Sequence, residues 1–238
     1  MTKVGQFTFI TVIRDLYRLF FPDLCICCLH PTPSASDPLC IHCLVDLPYT
    51  NFHLQMDNPL TERFFGRIPI HSGTAFLYFE KKGRVQQMVH ALKYNNRPDL
   101  GIELGKMFGE VLRLAPYADS LDGILAIPLH GRRLRERGYN QSAMLAKGIA
   151  SVLGIPFFEE AIIRKEHTIS QTKKTRMERF RNVEKVFELS GKRDIRHQHL
   201  LLVDDVLTTG ATLEACGAVL LKEEGVKLSV ATLAIAEN

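Results

Sequence analysis

The spacing of apolar residues changes several times along the chain, and each change marks an element. Phe9, Val12, Ile13, Leu16, Tyr17 and Phe20 recur at helical spacing and form one stripe suited to docking on the chain's own core; a lipid- or partner-binding helix would carry the same pattern. Arg14, Asp15 and Arg18 interrupt the segment from Phe7 to Phe21. What remains uninterrupted is shorter than the roughly 20 apolar residues a spanning helix needs, and no small-residue cleavage site follows. We therefore expect no membrane span and a cytoplasmic location. Further on, Thr74 to Glu80 reads as a strand, Gly83 to Tyr94 as a helix, and Asp99 to Leu114 as a second helix between Pro98 and Pro116. Gly123 to Ile127 is a short buried strand and Asn140 to Leu153 a helix. Ala161 to Arg164 reads as a short strand, Leu200 to Val203 as a fully apolar one, Ala211 to Glu224 as a helix ended at Gly225, and Lys227 to Ile235 as a last strand. Strands alternating with helices predict an α/β fold, a parallel sheet with helices on both faces.

The chain has 238 residues, enough for one sizeable core with a small module appended. We expect a module at 1–50, a connector at 51–73 without sustained period, and the α/β domain at 74–238. A formal net charge of +4 is too small for a surface coated generally by nucleic acid, so an anionic partner must be read from where the charge lies.

Five of the six cysteines fall between Cys25 and Cys43. Two C-x-x-C pairs, Cys25/Cys28 and Cys40/Cys43, are each able to bend around one side of a metal ion, and four thiolates make a closed tetrahedral zinc site. Pro31, Pro33, Ser34, Ser36, Asp37 and Pro38 give the intervening segment the loop chemistry to bring the two pairs together. The alternative is redox or reduced thiols, and Cys27, His30 and His42 lie within reach as replacement ligands. With four protein ligands no position stays open for water, so the metal would fold the module and leave the chemistry elsewhere.

That chemistry concentrates in the run from Leu200 to Thr212, a strand followed by Asp204, Asp205, a loop and a helix. Ligands of open α/β sheets bind at the carboxyl ends of the strands, where this run places its carboxylates. Gly210 permits a tight turn, Thr208, Thr209 and Thr212 add hydroxyls, and the next helix offers its positive end to an anion. The Gly-Lys-Ser/Thr of a Walker loop is absent. An acidic pair before a phosphate cradle suits a sugar phosphate, each carboxylate accepting from a ribose hydroxyl; a plain magnesium pocket or loop caps are the alternative.

The stretch LLLVDDVLTTGATL resembles the signature by which type I phosphoribosyltransferases bind 5-phosphoribosyl 1-pyrophosphate (PRPP). Together with the cysteine module, the run from Ile127 to Gln141 and Ser170-Gln171-Thr172 followed by Arg176 to Asn182, it is similar to the ComF family, which is linked to DNA uptake in natural competence. The resemblance implies a type I phosphoribosyltransferase-like domain with an N-terminal zinc module. It implies that Asp204 and Asp205 hold the ribose, that Leu207, Thr208, Thr209, Gly210, Ala211 and Thr212 hold the 5′-phosphate, and that magnesium accompanies PRPP. By position, Leu129 to Arg133 matches the pyrophosphate loop, and Arg132 and Arg133 could meet the pyrophosphate; a solvated basic loop is the plainer reading. Arg164 to Lys185, rich in Lys and Arg, reads as a lid over PRPP or as a track for single-stranded DNA. Lys93 and Tyr94 resemble a family feature with no role that spacing can derive.

Three functions fit these residues. One is an enzyme moving the phosphoribosyl group of PRPP to an acceptor the sequence does not name. Another is a non-catalytic PRPP- or single-stranded-DNA-binding factor working with proteins of DNA uptake. The third is a nucleobase salvage phosphoribosyltransferase, disfavoured by the cysteine module and by the lack of a base-recognising segment.

Overall fold

A computed structural model describes residues 20–34, 37–165 and 186–236, together with position 16. The chain divides into two compact units, one ending at Leu47 and one beginning at Pro48. In the first, Cys25 donates its N–H to the carbonyl of His30, and a short helix, α1 (Ile41–Val45), follows Cys40. The stripe expected before Phe20 lies almost wholly outside the described residues. Among the described residues no helix is long and apolar enough to cross a membrane.

The second unit is built on a parallel sheet of β1 (Ser72–Phe79), β6 (Lys227–Ala236), β5 (His199–Leu207) and β2 (Gly123–Ala126), in that order. Phe157 adds a parallel bridge beyond β2. Parallel crossovers are right-handed, so connections crossing the sheet in opposite directions lay their helices on opposite faces. From β1 toward β2 and Phe157 the chain runs one way through α3 (Arg84–Tyr94), α4 (Pro98–Leu112) and α6 (Gln141–Leu153). From β5 to β6 it returns through α7 (Ala211–Leu220). Helices cover both faces, as the alternation predicts.

Some elements lay outside the sequence reading, although the short strand expected at Ala161 to Arg164 is present as Ile162–Arg164. The basic run after β2 is a helix, α5 (Gly131–Arg137), with no buried residue, capped by His130 Nδ1 and ended at Gly138 with φ 76°. A small antiparallel pair, β3 (Ile162–Arg164) and β4 (Phe187–Leu189), flanks the gap of undescribed residues 166–185. Residues 51–73, aperiodic in sequence, contribute α2 (Pro59–Glu62) and place Phe52, Leu60 and Phe64 in the core beside Leu200, Leu202, Leu213 and Leu220 of β5 and α7. Asn58 starts α2 with a capping box, its side chain accepting from the N–H groups of Leu60 and Thr61 while Thr61 Oγ1 accepts from the Asn58 N–H.

On the other face α4 and α6 cross at backbone contact. A Cβ on Gly105 would lie 2.3 Å from the Leu145 carbonyl oxygen, and one on Gly148 2.2 Å from that of Ile102. Only glycine fits such an approach. This crossing fixes α6, whose first turn borders the carboxyl end of β5.

Candidate functional site

β5 runs further than its apolar stretch. Asp204 pairs in register with Thr232 and Leu207 with Ile235, so both aspartates are strand residues at the carboxyl end of the sheet. Leu207 is buried in the core, which leaves its backbone alone for a ligand. Thr208 and Thr209 are exposed, and Gly210 makes the turn at φ 78° before the exposed Ala211 and Thr212 open α7. The loop therefore presents the N–H groups at the start of α7 beside the two carboxylates, a combination able to hold an anion and hydroxyl donors together.

The aspartates have different partners. Asp204 Oδ1 accepts from the Ser142 hydroxyl at 3.0 Å and from the Asp205 N–H at 2.9 Å. Asp205 Oδ2 lies 2.7 Å from Lys93 Nζ, and its Oδ1 accepts from the Val206 N–H at 2.7 Å. Burial, and then the neighbouring charge of Asp205, push the Asp204 carboxyl up to about 7 against the pull of the Asp205 N–H, Ser142 and Lys93. Two adjacent carboxylates with one ammonium thus hold Asp204 well above the usual carboxylate range.

Lys93 and Ser142 are fastened by the run after β2. Tyr139 donates its hydroxyl to the Leu92 carbonyl at 2.6 Å, beside Lys93. Asn140 Nδ2 reaches the Ile127 carbonyl at 2.9 Å, while Asn140 Oδ1 caps α6 through the Ser142 N–H at 3.1 Å. The dipeptide Tyr139-Asn140 thus locks the ends of α3, β2 and α6 around the aspartates. Lys93 was visible in the sequence without a role, and Ser142 carried no signal there beyond its place in the first turn of a helix.

The structure does not gather all the expected arginines at the aspartates. Arg132 is largely exposed and binds Glu136 one turn on in α5, Nε to Oε1 at 2.8 Å. Arg133 is exposed too, yet its charge is felt at Arg164 on the end of β3, whose guanidinium also feels Asp204. Burial, then Arg133, lower the Arg164 pKa. Sequence reasoning had placed Arg164 at the end of a short strand and the start of a lid, without a place beside the aspartates. Beyond Lys165, that lid, with Ser170, Gln171 and Thr172, and with Lys173, Lys174 and Arg176, lies outside the described residues.

A second set of arginines, absent from the sequence reading, lies on the outer side of the loop. Arg63 donates to the carbonyls of Thr208 (2.6 Å) and Ala236 (2.5 Å), and Arg67 to those of Thr209 (2.8 Å) and Arg63 (3.1 Å). Arg67 Nε also binds Glu214 in the first turn of α7 at 2.9 Å. An open cavity of about 350 Å³ is lined by Met56, Thr61, Phe64, Arg67, Ile68 and His71 and by neither aspartate.

In the first unit, the sulfurs of Cys25, Cys28, Cys40 and Cys43 all lie within 4.8 Å of one another. Tetrahedral zinc–sulfur bonds of about 2.3 Å place sulfurs roughly 3.8 Å apart, so the set fits such an ion. Cys27, His30 and His42 are not among the four. Burial raises the Cys43 pKa, as does crowding by the sulfurs of Cys28, Cys25 and Cys40. The cluster can hold a metal such as zinc.

Comparison with known proteins agrees with this architecture. Residues 140–238 match the model of the phosphoribosyl transferase domain. DNA utilization protein YhgH of Salmonella typhi is 30% identical over 146 residues, which cover 60% of this chain and 63% of that protein. Competence protein F of Haemophilus influenzae is 29% identical over 139 residues, 57% of this chain and 61% of its own. The chain thus spans less than two thirds of the length of these relatives. Among solved structures, adenine phosphoribosyltransferase of Saccharomyces cerevisiae is 17% identical over 58% of this chain and 69% of its own, with a TM-score of 0.37, a likeness too loose to bear on activity. The chain carries a phosphoribosyl transferase domain and is a relative of the DNA utilization and competence F proteins, in keeping with its resemblance to the ComF family.

Proposed function

We propose that this protein binds PRPP at the carboxyl end of β5 and transfers its phosphoribosyl group to an acceptor, in a role in DNA utilisation or competence like that for which its relatives are named. The observation that carries the reading is the juxtaposition of Asp204 and Asp205, partnered by Ser142 and Lys93, with the Thr208–Gly210 turn at the start of α7. The turn and the helix N-terminus take the 5′-phosphate. Each aspartate accepts from one ribose hydroxyl, and Arg133 with Arg164 faces the pyrophosphate. The bond from C1 to the pyrophosphate oxygen breaks as the acceptor's lone pair reaches C1, and the electron pair leaves with pyrophosphate. No protein nucleophile takes part: the residues position the ribose, and the carboxylates stabilise the cationic sugar. Magnesium, were it to arrive with PRPP, would supply charge neutralisation to the leaving group.

Calorimetric titration with PRPP and magnesium tests the reading. We expect micromolar binding that disappears in the double variant Asp204→Asn, Asp205→Asn while the fold is kept. Undiminished binding in the variant, or none in the native protein, overturns it. The cysteine module, in this reading, folds around zinc. Elemental analysis should find one zinc per chain, and Cys28→Ser with Cys43→Ser should lose it.

A further inference from the structure

The Thr208–Thr209 backbone is gripped from behind by a segment outside the matched domain. Arg63 and Arg67 leave the turn after α2 on either side of Phe64, and between them they take two consecutive loop carbonyls. Arg63 bridges the Thr208 carbonyl to that of Ala236, tying the ends of adjacent strands β5 and β6. Arg67 joins the Thr209 carbonyl to the carboxylate of Glu214 one turn into α7. Phe64 closes the gap, its ring 3.3 Å from where a Cβ on Gly210 would stand.

We propose that Arg63 and Arg67 are positioning residues for the phosphate loop: by holding the carbonyls of Thr208 and Thr209 outward they turn the N–H groups of Thr209 and Gly210, just before α7, toward the 5′-phosphate. The argument is one of geometry. A peptide unit is planar with its C=O and N–H pointing oppositely, so a carbonyl pinned on one side sends the next N–H to the other. An exposed loop of two threonines and a glycine otherwise samples many conformations, and fixing one of them before the anion arrives lowers the ordering cost of binding. Guanidinium suits the task, since its planar fork serves two acceptors at once where an ammonium offers a single point. Neither arginine touches the ligand in this scheme; each acts through the loop.

The inference rests on the proposed PRPP site, and its test separates the two. Arg63→Met, Arg67→Met and the double variant are compared with the native protein by hydrogen exchange without ligand, and by titration with ribose 5-phosphate and with magnesium pyrophosphate. We expect faster exchange at Thr208 to Thr212 in the variants with the sheet unchanged. We also expect ribose 5-phosphate affinity to fall about tenfold for each variant, pyrophosphate affinity to stay within about twofold, and Arg63→Lys to recover only part of the loss. Unchanged loop exchange, or equal losses for both probes, overturns the positioning role. Faster exchange in the variants, with no ribose 5-phosphate binding by the native protein, supports the clamp on the loop and overturns its service to a 5′-phosphate, and with it the PRPP site.

Discussion

The two ends of β5 hold polar groups of opposite design. At the amino end His199 is buried and finished: Nδ1 pairs with the Ser120 hydroxyl at 2.9 Å, Nε2 with that of Ser229 at 2.8 Å, and Ser229 continues to Ser72 at 2.6 Å. Its backbone N–H reaches Asp122 at 2.7 Å. Burial first, then the charges of His71 and Lys227, lower its pKa to about 4, so the ring stays neutral. At the carboxyl end two carboxylates share one ammonium and Asp204 is raised to about 7. A satisfied neutral network stabilises a fold, whereas an unbalanced charged one stores interaction for a ligand. The difference suits one end of the strand to structure and, on the proposed reading, the other to binding.

The sharpest way to break that division is to neutralise the carboxyl end. Asp204→Asn with Asp205→Asn keeps the shapes and removes both charges. Losing two hydrogen bonds to charged acceptors, each worth about 1.5–3 kcal/mol, weakens PRPP binding by roughly 100-fold or more. Relief of like-charge repulsion offsets the lost pairing with Lys93, so thermal unfolding should move by only a few degrees. A large fall in melting temperature would show that this end, too, holds the fold together.

The opposite change comes next in size. His199→Ala removes two hydrogen bonds and leaves a void among Tyr117, His71 and the serines. Ser120 keeps the Tyr117 carbonyl and Ser229 keeps Ser72, so the cost is about 2–3 kcal/mol, readable as a shift in urea midpoint with an unchanged slope. PRPP affinity should stay within about twofold. A matching loss of binding would mean the two ends are not separate.

Much of this comparison was legible in the sequence, for local reasons. The apolar run Leu200 to Val203 followed by Asp204, Asp205 and Gly210 spells strand, carboxylates and turn in order, and each obeys a short-range rule. The paired cysteines do the same, and the structure gathers the four expected. What stayed hidden depends on distant partners. Arg63 and Arg67 meet a loop more than 140 positions away, so nothing beside them signals their role. Lys93 meets Asp205 across 112 positions, 205 less 93. His199, just before the expected strand, carried no local signal, because its serine partners, Ser229 and Ser120, come from another strand and a connecting turn. The α5 helix escaped because it buries nothing and so has no apolar period, and its His130 cap is not a usual capping residue. Only the α4–α6 crossing was open to a local reading that we did not make: Gly101, Gly105 and Gly109 lie one helical turn apart, facing Met144, Gly148 and Val152.

The smallest effect sharpens the comparison through its sign. Between about pH 4 and 6.5 the unfolded chain protonates His199 while the folded one does not, so this group makes stability rise with pH. His53, lowered by burial, adds in the same sense. Asp204 does the reverse. From about 4 to 7 the folded state keeps a proton that the unfolded state has lost, and stability falls as pH rises. Around Asp204 the facing groups are Asp205, Lys93, Ser142, Arg164 and Cys216; around His199 they are His71, Lys227, Asp122 and Ser120. Asp99, Asp194 and Glu160, held low by their Arg or Lys partners, act mainly below about pH 4.5 and leave the upper part of the window clear. The opposing slopes should give the zinc-loaded, ligand-free protein a shallow profile between pH 5 and 6.5, about the window the two shifts share. Asp204→Asn should steepen the rise with pH, and His199→Ala should turn it toward a fall. Urea unfolding at half-unit steps of pH reads both; parallel profiles for the two variants would show that the ends of β5 titrate as one.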